Sequence, residues 1–212
     1  MDYSLYLVTD AGLSRGRSHR QIVEAAIRGG VTAVQYRDKS ASTRRMIEEA
    51  AEIRGICSQA GVSFIVNDRV DVALAVDADG VHVGQDDMPA SVLRNLIGSG
   101  KIIGVSAGSV EEAVRAFSDG ADYVGAGPVF STLTKPDAGA PVGQVGLRAI
   151  CAAISIPVVA IGGINADNSG DMIRCGAAGI AVVSAIVSAE DVELAARLLC
   201  SALSGARRSS SS

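Results

Sequence analysis

The fold of this chain is decided by a unit that residues 28–39 show most clearly, RGGVTAVQYRDK. A helical pattern ends at Arg28, two glycines follow, and a short run rich in β-branched residues leads into a polar end. Glycine after a helix is typical of a left-handed cap, and a short apolar run is typical of a buried strand. The stretch therefore predicts a helix-to-strand junction in an α/β protein with buried parallel strands.

The same unit recurs eight times along the chain. Strand-like runs lie at residues 5–9, 33–37, 63–67, 80–83, 102–106, 123–126, 158–161 and 179–183, and helical patterns lie at 18–28, 42–60, 110–117, 166–174 and 189–203. Strict alternation of strands and helices requires a parallel sheet. Eight units in 212 residues fit a single-domain (β/α)8 TIM barrel.

A doubly wound open sheet is the alternative fold. The GxGxxG motif that usually follows the first strand of such a sheet is missing from this chain. We therefore predict one TIM-barrel domain over residues 1–205. The serine-rich stretch 206–212 is predicted to be a disordered tail.

Composition narrows the classes of partner. The net charge is −4 and aromatic residues make up only 3% of the chain, which argues against nucleic acid binding. No apolar run reaches the length of a membrane span, and the N-terminus lacks the basic region of a signal peptide. The four cysteines are widely spaced, as in a protein of a reducing compartment. We expect a cytoplasmic protein with small-molecule ligands, and the sequence leaves open whether it forms a homo-oligomer.

The second strand ends in an unusual set of polar side chains. Alternation along a strand places Gln35, Arg37 and Lys39 on one face. Burying two unpaired cations in an apolar core would cost several kcal/mol or more. The group must therefore meet water, protein carboxylates, or an anionic ligand with several oxygens.

Acidic residues follow the next two strands. Asn67 and Asp68 end the third strand, and Asp86 and Asp87 follow the fourth. Oxygen ligands of this kind suit Mg²⁺, which often shares its shell with substrate phosphates. Taken alone, each pair is better explained without a ligand: Asn67 and Asp68 by a turn, and Asp86 and Asp87 by a cap on the helix that begins near Pro89. Together with the strand-two cations, they favour a site for a metal and an anion.

Later strand ends offer a second anion site. The long stretch 127–146 contains Thr132, Thr134 and Lys135, which suit a lid that grips an anion, although a solvated loop is the alternative. Gly162, Gly163, Val183 and Ser184 follow the last two strands, where barrels of this kind usually bind phosphate; the glycines could also serve only a tight turn.

The two histidines are weak candidates for a general base. His19 lies in the first turn of a predicted helix, and His82 lies inside the fourth strand, where it could equally be an interior histidine with satisfied hydrogen bonds.

The chain resembles the thiamine phosphate synthase (thiamine-phosphate pyrophosphorylase) family. Single motifs are weak, but their order is specific and covers nearly the whole chain. The matching segments are 6–10 (YLVTD), 34–39 (VQYRDK), 66–68 (VND), 80–87 (GVHVGQDD), 103–106 (IGVS), 127–137, 160–164 (AIGGI) and 183–185 (VSA).

The resemblance implies a transferase of thiamine biosynthesis that needs Mg²⁺. Such an enzyme joins a hydroxymethylpyrimidine pyrophosphate to a thiazole phosphate and releases pyrophosphate through a pyrimidine cation. By resemblance, Asp68 and Asp87 hold the metal. The pyrimidine pyrophosphate is bound by Gln35, Arg37, Lys39, Asn67, Ser106 and Lys135, of which Arg37, Lys39, Ser106 and Lys135 serve catalysis; the thiazole phosphate is bound by Thr132, Thr134, Gly162, Gly163, Val183 and Ser184.

One departure from the family pattern bears on the alternatives. Many relatives carry a histidine two residues after the serine, whereas this chain has Gly108. The related thiazole tautomerases use a histidine in that region for proton transfer, so Gly108 counts against a tautomerase. A catalytically silent barrel that binds a phosphorylated metabolite and a phosphosugar isomerase are the remaining alternatives.

Overall fold

The protein folds as a closed barrel of parallel strands surrounded by helices. A computed structural model describes residues 1–132, 134 and 139–210. Within them the barrel order is β1-β2-β3-β4-β5-β6-β7-β8, which confirms the predicted TIM barrel and excludes an open sheet. The strands are β1 (Leu5–Val8), β2 (Ala33–Tyr36), β3 (Ser63–Asn67), β4 (Gly80–Val83), β5 (Ile102–Ala107), β6 (Tyr123–Ala126), β7 (Val158–Ile161) and β8 (Gly179–Val182).

Helices follow the strands and cover the outside of the barrel. They are α1 (His19–Arg28), α2 (Thr43–Ala60), α3 (Val70–Ala75), α4 (Ala90–Ile97), α5 (Val110–Ser118), α6 (Gly143–Ala153), α7 (Ser169–Arg174), α8 (Ser184–Val187) and α9 (Val192–Ser210). None of the helices in the described ranges is both long and apolar enough to cross a bilayer.

The helix ends show why the alternation of strands and helices could be predicted from the sequence. Ser18 and Gln21 form a capping box at the start of α1, in which each side chain accepts a hydrogen bond from the other's backbone. Gly30, Gly120 and Gly176 each precede a strand with φ near +100°, a conformation that favours glycine. Local chemistry therefore marks the start of α1 and the junctions that precede β2, β6 and β8.

Helix α9 continues through residues 206–210, past the domain boundary predicted at residue 205. The predicted disorder of residues 211 and 212 lies outside the described residues. Leu199, Leu203 and Ala206 are buried at helical spacing, so the apolar face of α9 extends past the predicted boundary. Arg207 also donates hydrogen bonds to Ser4 Oγ and to the backbone oxygen of Ala178, both at 2.7 Å. Packing against the barrel thus holds the helix beyond Gly205.

Two apolar layers make up the core. The larger layer lies between the strands and the helices, and a smaller cluster fills the barrel interior. Tyr6 and Tyr123 are fully buried in this interior cluster. Gly104 makes room for Tyr123, because a Cβ at Gly104 would lie 2.1 Å from that ring. The interior therefore carries hydroxyl groups directly beneath the open end of the barrel.

The closeness of neighbouring strands gives a prediction about stability. A Cβ at Gly80 would lie 2.1 Å from the backbone oxygen of Ile102 on the next strand. Gly80→Ala should therefore lower the free energy of unfolding by about 1–3 kcal/mol or more. Gly55→Ala is the matched control, because Gly55 lies exposed in α2 with open space around it. That change should stabilise the protein by about 0.5–1 kcal/mol.

Urea unfolding of both variants measures these two effects. Equal midpoints for Gly80→Ala and the wild type would contradict the close contact between β4 and β5.

Candidate functional site

The polar residues predicted at the strand ends converge on one cavity. It has a volume of about 290 Å³ and opens at the carboxyl end of the barrel. Its lining includes the predicted residues Gln35, Arg37, Lys39, Asn67, Asp68, Asp87 and Ser106. We call it the first cavity. The side chains expected together after strands two to four thus line one cavity, joined by Ser106 of β5, and what they bind stays a prediction.

A second cavity of about 390 Å³ adjoins the first. Its lining includes Thr132, Thr134, Gly162, Gly163, Val183 and Ser184, the residues predicted for the other phosphate. Thr134, Val183 and Ser106 line both cavities, so the two spaces meet. Lys135 lies outside the described residues, and its predicted place in a lid stays a prediction.

The glycines of the second cavity also have a packing role. Gly162 and Gly163 have φ values of +100° and +66°. A Cβ on Gly162 would lie 2.6 Å from Pro128, and one on Gly163 would lie 2.7 Å from Phe130 Cβ. Both residues are therefore glycine for the reason that the tight-turn explanation gives. Their predicted contact with phosphate is supported only by their position in the cavity wall.

Arg37 has a protein partner that the sequence left open. Its Nη1 donates to Asp10 Oδ2 at 2.6 Å, and Asp10 Oδ1 accepts from the Leu13 backbone at 3.2 Å. The Arg37 backbone N–H donates to Thr9 Oγ at 2.9 Å. A guanidinium has five N–H donors, and the contact with Asp10 involves one of them. Arg37 can therefore hold Asp10 and an anion at the same time.

Asp68 sits in an unusual position for a carboxylate. Its φ of +58° is left-handed, and its backbone N–H donates to the His82 oxygen at 2.8 Å. Burial and the negative charge of Asp87 raise the pKa of Asp68 from 3.8 to about 6, although Lys39 partly opposes the shift. Asp87 does not cap α4; its Oδ2 accepts from the Gly84 backbone at 2.8 Å. The fold thus keeps the carboxylates of Asp68 and Asp87 close together although they repel each other. Such a pair of oxygen ligands suits a hard cation.

The raised pKa gives a second stability prediction. Because the folded protein binds this proton more tightly than the unfolded chain, ionisation of Asp68 destabilises the fold as pH rises from about 4 through 6. Without divalent cations, Asp68→Asn should therefore stabilise the protein at pH 7.5, by an amount on the order of 1–2 kcal/mol after solvent screening. The gain should vanish near pH 4.

Asp77→Asn is the matched control for that measurement. Asp77 is also left-handed, with a φ of +52°, but its bond to Lys101 lowers its pKa. Its replacement should slightly destabilise the protein at neutral pH. Urea unfolding in EDTA at pH 4 and pH 7.5 measures the stability of both variants relative to the wild type. If Asp68→Asn were less stable than the wild type at pH 7.5, repulsion between the two carboxylates would not destabilise the fold.

Hydrogen bonds inside the barrel form a chain that the sequence analysis missed. Tyr123 contacts Tyr6 at 2.9 Å between hydroxyls and His82 Nδ1 at 2.8 Å; His82 Nε2 contacts Ser106 Oγ at 2.9 Å, and Gln35 Nε2 donates to Tyr6 at 3.1 Å. His82 is therefore an interior histidine with a partner at each ring nitrogen. The only sequence signal was the placement of Tyr6 and Tyr123 within strands, among few aromatic residues.

His19 lies away from both cavities. Its Nε2 is 3.5 Å from Asp38 Oδ2 and 3.9 Å from Glu49 Oε2, which brings three metal-ligand types together. Its Nδ1, however, is buried without a hydrogen-bond partner in the described structure. A metal on Nε2 would place a hydrogen on that isolated Nδ1, so the cluster suits a metal poorly. His19 is not part of the candidate site.

Position 108 has room for a side chain, although this chain has glycine where many relatives have histidine. A Cβ at Gly108 would lie 3.6 Å from its nearest neighbours, which is ordinary contact. The Gly108 backbone donates to Glu112 Oε2 at 2.6 Å. The position could hold a side chain but offers no group for proton transfer.

Comparison with known proteins points in the same direction as the geometry. A family model described as thiamine monophosphate synthase matches residues 5–186. The chain is 66% identical over 199 residues to a thiamine-phosphate synthase of Chloroflexus aurantiacus, covering 94% of this chain and 92% of that protein. A Methanocella arvoryzae thiamine-phosphate synthase is 54% identical, with 99% of both chains covered.

Structural similarity agrees with these sequence matches. A thiamine phosphate pyrophosphorylase from Pyrococcus furiosus superposes with a TM-score of 0.90 at 45% identity, over 97% of each chain. The resemblance drawn from the ordered motifs is confirmed: the chain belongs to the thiamine monophosphate synthase family of enzymes.

Proposed function

We propose that this protein is a Mg²⁺-dependent thiamine phosphate synthase. It would condense 4-amino-2-methyl-5-hydroxymethylpyrimidine pyrophosphate with 4-methyl-5-(2-phosphoethyl)thiazole, giving thiamine phosphate and pyrophosphate. One observation carries the proposal: a cavity whose lining includes Arg37, Lys39 and three aspartates adjoins a second cavity with several glycines in its wall. The names of the family relatives support the same reaction.

The first cavity would hold the pyrimidine pyrophosphate. Gln35, Arg37, Lys39 and Asn67 would bind oxygens of the pyrophosphate, and Ser106 would contact the pyrimidine. Asp68 and Asp87 would hold Mg²⁺. Burial together with the repulsion between the two carboxylates raises the pKa of Asp68, which fits a cation there. When bound, Mg²⁺ would neutralise negative charge on the pyrophosphate.

The second cavity would hold the thiazole phosphate. Thr132 and Thr134 offer hydroxyl groups, while the segments at Gly162–Gly163 and Val183–Ser184 offer backbone N–H groups. Lys135 would close over the phosphate groups from the same loop as the two threonines. Because the cavities meet at Ser106, the two reacting atoms would lie between them, where they must approach to about 3–3.5 Å.

The reaction needs charge stabilisation more than proton transfer. The bond from the exocyclic methylene carbon to oxygen breaks, and its electron pair leaves with pyrophosphate. The amino group of the pyrimidine stabilises the resulting cation, and the lone pair of the thiazole nitrogen then forms the new bond. Arg37 and Lys39 would stabilise the negative charge that grows on the leaving group. No general base is required, which agrees with His82 having interior partners at both ring nitrogens.

Incubation with both substrates and Mg²⁺ tests this proposal. Thiamine phosphate and pyrophosphate should appear in equal amounts, and EDTA should stop their formation. Isomerisation of a thiazole phosphate without a pyrimidine substrate would instead indicate a tautomerase. Binding of thiazole phosphate with no product under any combination would indicate a catalytically silent barrel.

We also propose a cytoplasmic location. Its support is that all four cysteines are free, as in a reducing compartment.

A further inference from the structure

We propose that hydrogen bonds inside the barrel fix Ser106 as a hydrogen-bond donor to the ligand in the first cavity. We call the set Gln35, Tyr6, Tyr123, His82 and Ser106 the interior chain. Tyr6, Tyr123 and His82 would be positioning residues that act through Ser106. Only the identity of the ligand rests on the proposed function.

The interior chain crosses the barrel beneath the cavity. Its members come from five different strands, β2, β1, β6, β4 and β5, and its four links are between 2.8 and 3.1 Å long. Gln35, Tyr6, Tyr123 and His82 are all less than 10% exposed. All five members also line the first cavity. Because four of them are so little exposed, the protein supplies most of the partners of their polar atoms.

The Gln35 amide, at one end of the interior chain, indicates which group donates in each of the following hydrogen bonds. A tyrosine hydroxyl has one hydrogen to donate. The Gln35 amide donates to the Tyr6 oxygen, and the other hydrogen-bond partner of that hydroxyl in the described structure is Tyr123. A buried hydroxyl hydrogen needs an acceptor, so we infer that Tyr6 donates to Tyr123 and that Tyr123 donates to His82 Nδ1. Burial raises the pKa of both tyrosines, so both keep these hydrogens at neutral pH.

The protonation of His82 then determines whether Ser106 accepts or donates in their shared hydrogen bond. In a neutral imidazole one nitrogen accepts and the other donates. With Nδ1 accepting from Tyr123, Nε2 carries the hydrogen and donates to Ser106 Oγ. The Ser106 hydrogen then points into the cavity. The Gln85 side chain also holds the Ser106 backbone oxygen at 2.7 Å, which limits movement of the residue.

The direction decides which ligand atom Ser106 can recognise. A donor hydroxyl selects an acceptor, such as a ring nitrogen or a phosphate oxygen. If the Gln35 amide were reversed, every hydrogen bond would reverse too: His82 would carry its hydrogen on Nδ1, and Ser106 would donate to His82. The serine oxygen would then accept from a ligand N–H group. The two arrangements therefore predict opposite chemistry at the same position.

A pair of variants separates this role from a general structural one. Tyr123→Phe keeps the ring and removes the hydroxyl, so kcat/KM should fall about 5–10-fold in the wild-type background. In a Ser106→Ala background the same change should cost nothing further, because the serine that it positions is gone. Full additivity of the two changes would contradict action through Ser106.

The tautomer of His82 tests the direction itself, without any substrate. The chain has 2 histidines, so ¹⁵N-histidine labelling of the His19→Gln variant leaves only His82 in the spectrum. If that variant does not fold, Ser106→Ala in the otherwise wild-type chain identifies the His82 Nε2 signal by shifting it. We expect a protonated Nε2 and an unprotonated Nδ1. A protonated Nδ1 with an unprotonated Nε2 would overturn the proposal and leave the synthase activity untouched, just as a failed synthase assay would leave the tautomer result standing.

Discussion

Asp68→Asn should lower Mg²⁺-dependent turnover by about 100-fold or more, while the protein stays folded. The amide replaces a charged metal ligand with a neutral one, and charge stabilisation by the metal is worth several kcal/mol in the transition state. Asp87→Ala should act in the same direction, because the two carboxylates would share one cation. The remaining activity should need a much higher Mg²⁺ concentration, so turnover is measured across a Mg²⁺ titration.

The control for this experiment is Asp77→Asn at the amino end of the barrel. Both aspartates have left-handed backbones, but Asp77 pairs with Lys101 far from the cavities. Its replacement should leave turnover and Mg²⁺ dependence unchanged. If Asp68→Asn kept the wild-type Mg²⁺ dependence, Asp68 would not be a metal ligand. Since the same variant should be more stable without Mg²⁺, loss of activity cannot be mistaken for unfolding.

Arg37→Ala should lower kcat by about 100–1,000-fold. The guanidinium lies in the first cavity, where negative charge would grow on the leaving group of the proposed reaction. Removal of one such stabilising group typically costs this much. Arg37→Lys keeps a charge but not the planar fork, so it should recover only part of the loss. Single-turnover measurements on folded variants separate this effect from product release.

Asp10→Asn shows whether the partner of Arg37 contributes by positioning it. The change leaves the cation in place and weakens the hydrogen bond of 2.6 Å. We expect a smaller fall in kcat than in Arg37→Ala, because the guanidinium can still contact the ligand. An Arg37→Ala enzyme with wild-type kcat would show that the leaving group is bound elsewhere.

Sequence alone predicted the barrel because its signals are local. Strands β3, β4, β6 and β7 have the bounds that the apolar runs indicate, and left-handed glycines precede β2, β6 and β8 as expected. Helix α9 runs past the boundary that the serine-rich stretch suggested at residue 205. Contacts with Ser4 and Ala178, far away in sequence, hold the helix beyond that point.

The parts of the site that the sequence analysis did not predict depend on the register between strands and on the closure of the barrel. Val8 pairs with Gln35, so Asp10 meets Arg37 two residues further along both strands, and no local pattern gives that register. Tyr6 and Tyr123 are 117 residues apart and meet only because the barrel closes. Aromatic residues make up only 3% of the chain, yet the barrel interior beside the site uses the hydroxyl groups of two tyrosines.

The central claim is that the two cavities bind two different anions. Calorimetric titration of pyrophosphate with Mg²⁺, and separately of thiazole phosphate, into the wild type and Arg37→Ala tests this most directly. Arg37→Ala should lose affinity for pyrophosphate and keep wild-type affinity for thiazole phosphate. Equal losses for both ligands, or unchanged binding of pyrophosphate, would contradict a leaving-group site at Arg37.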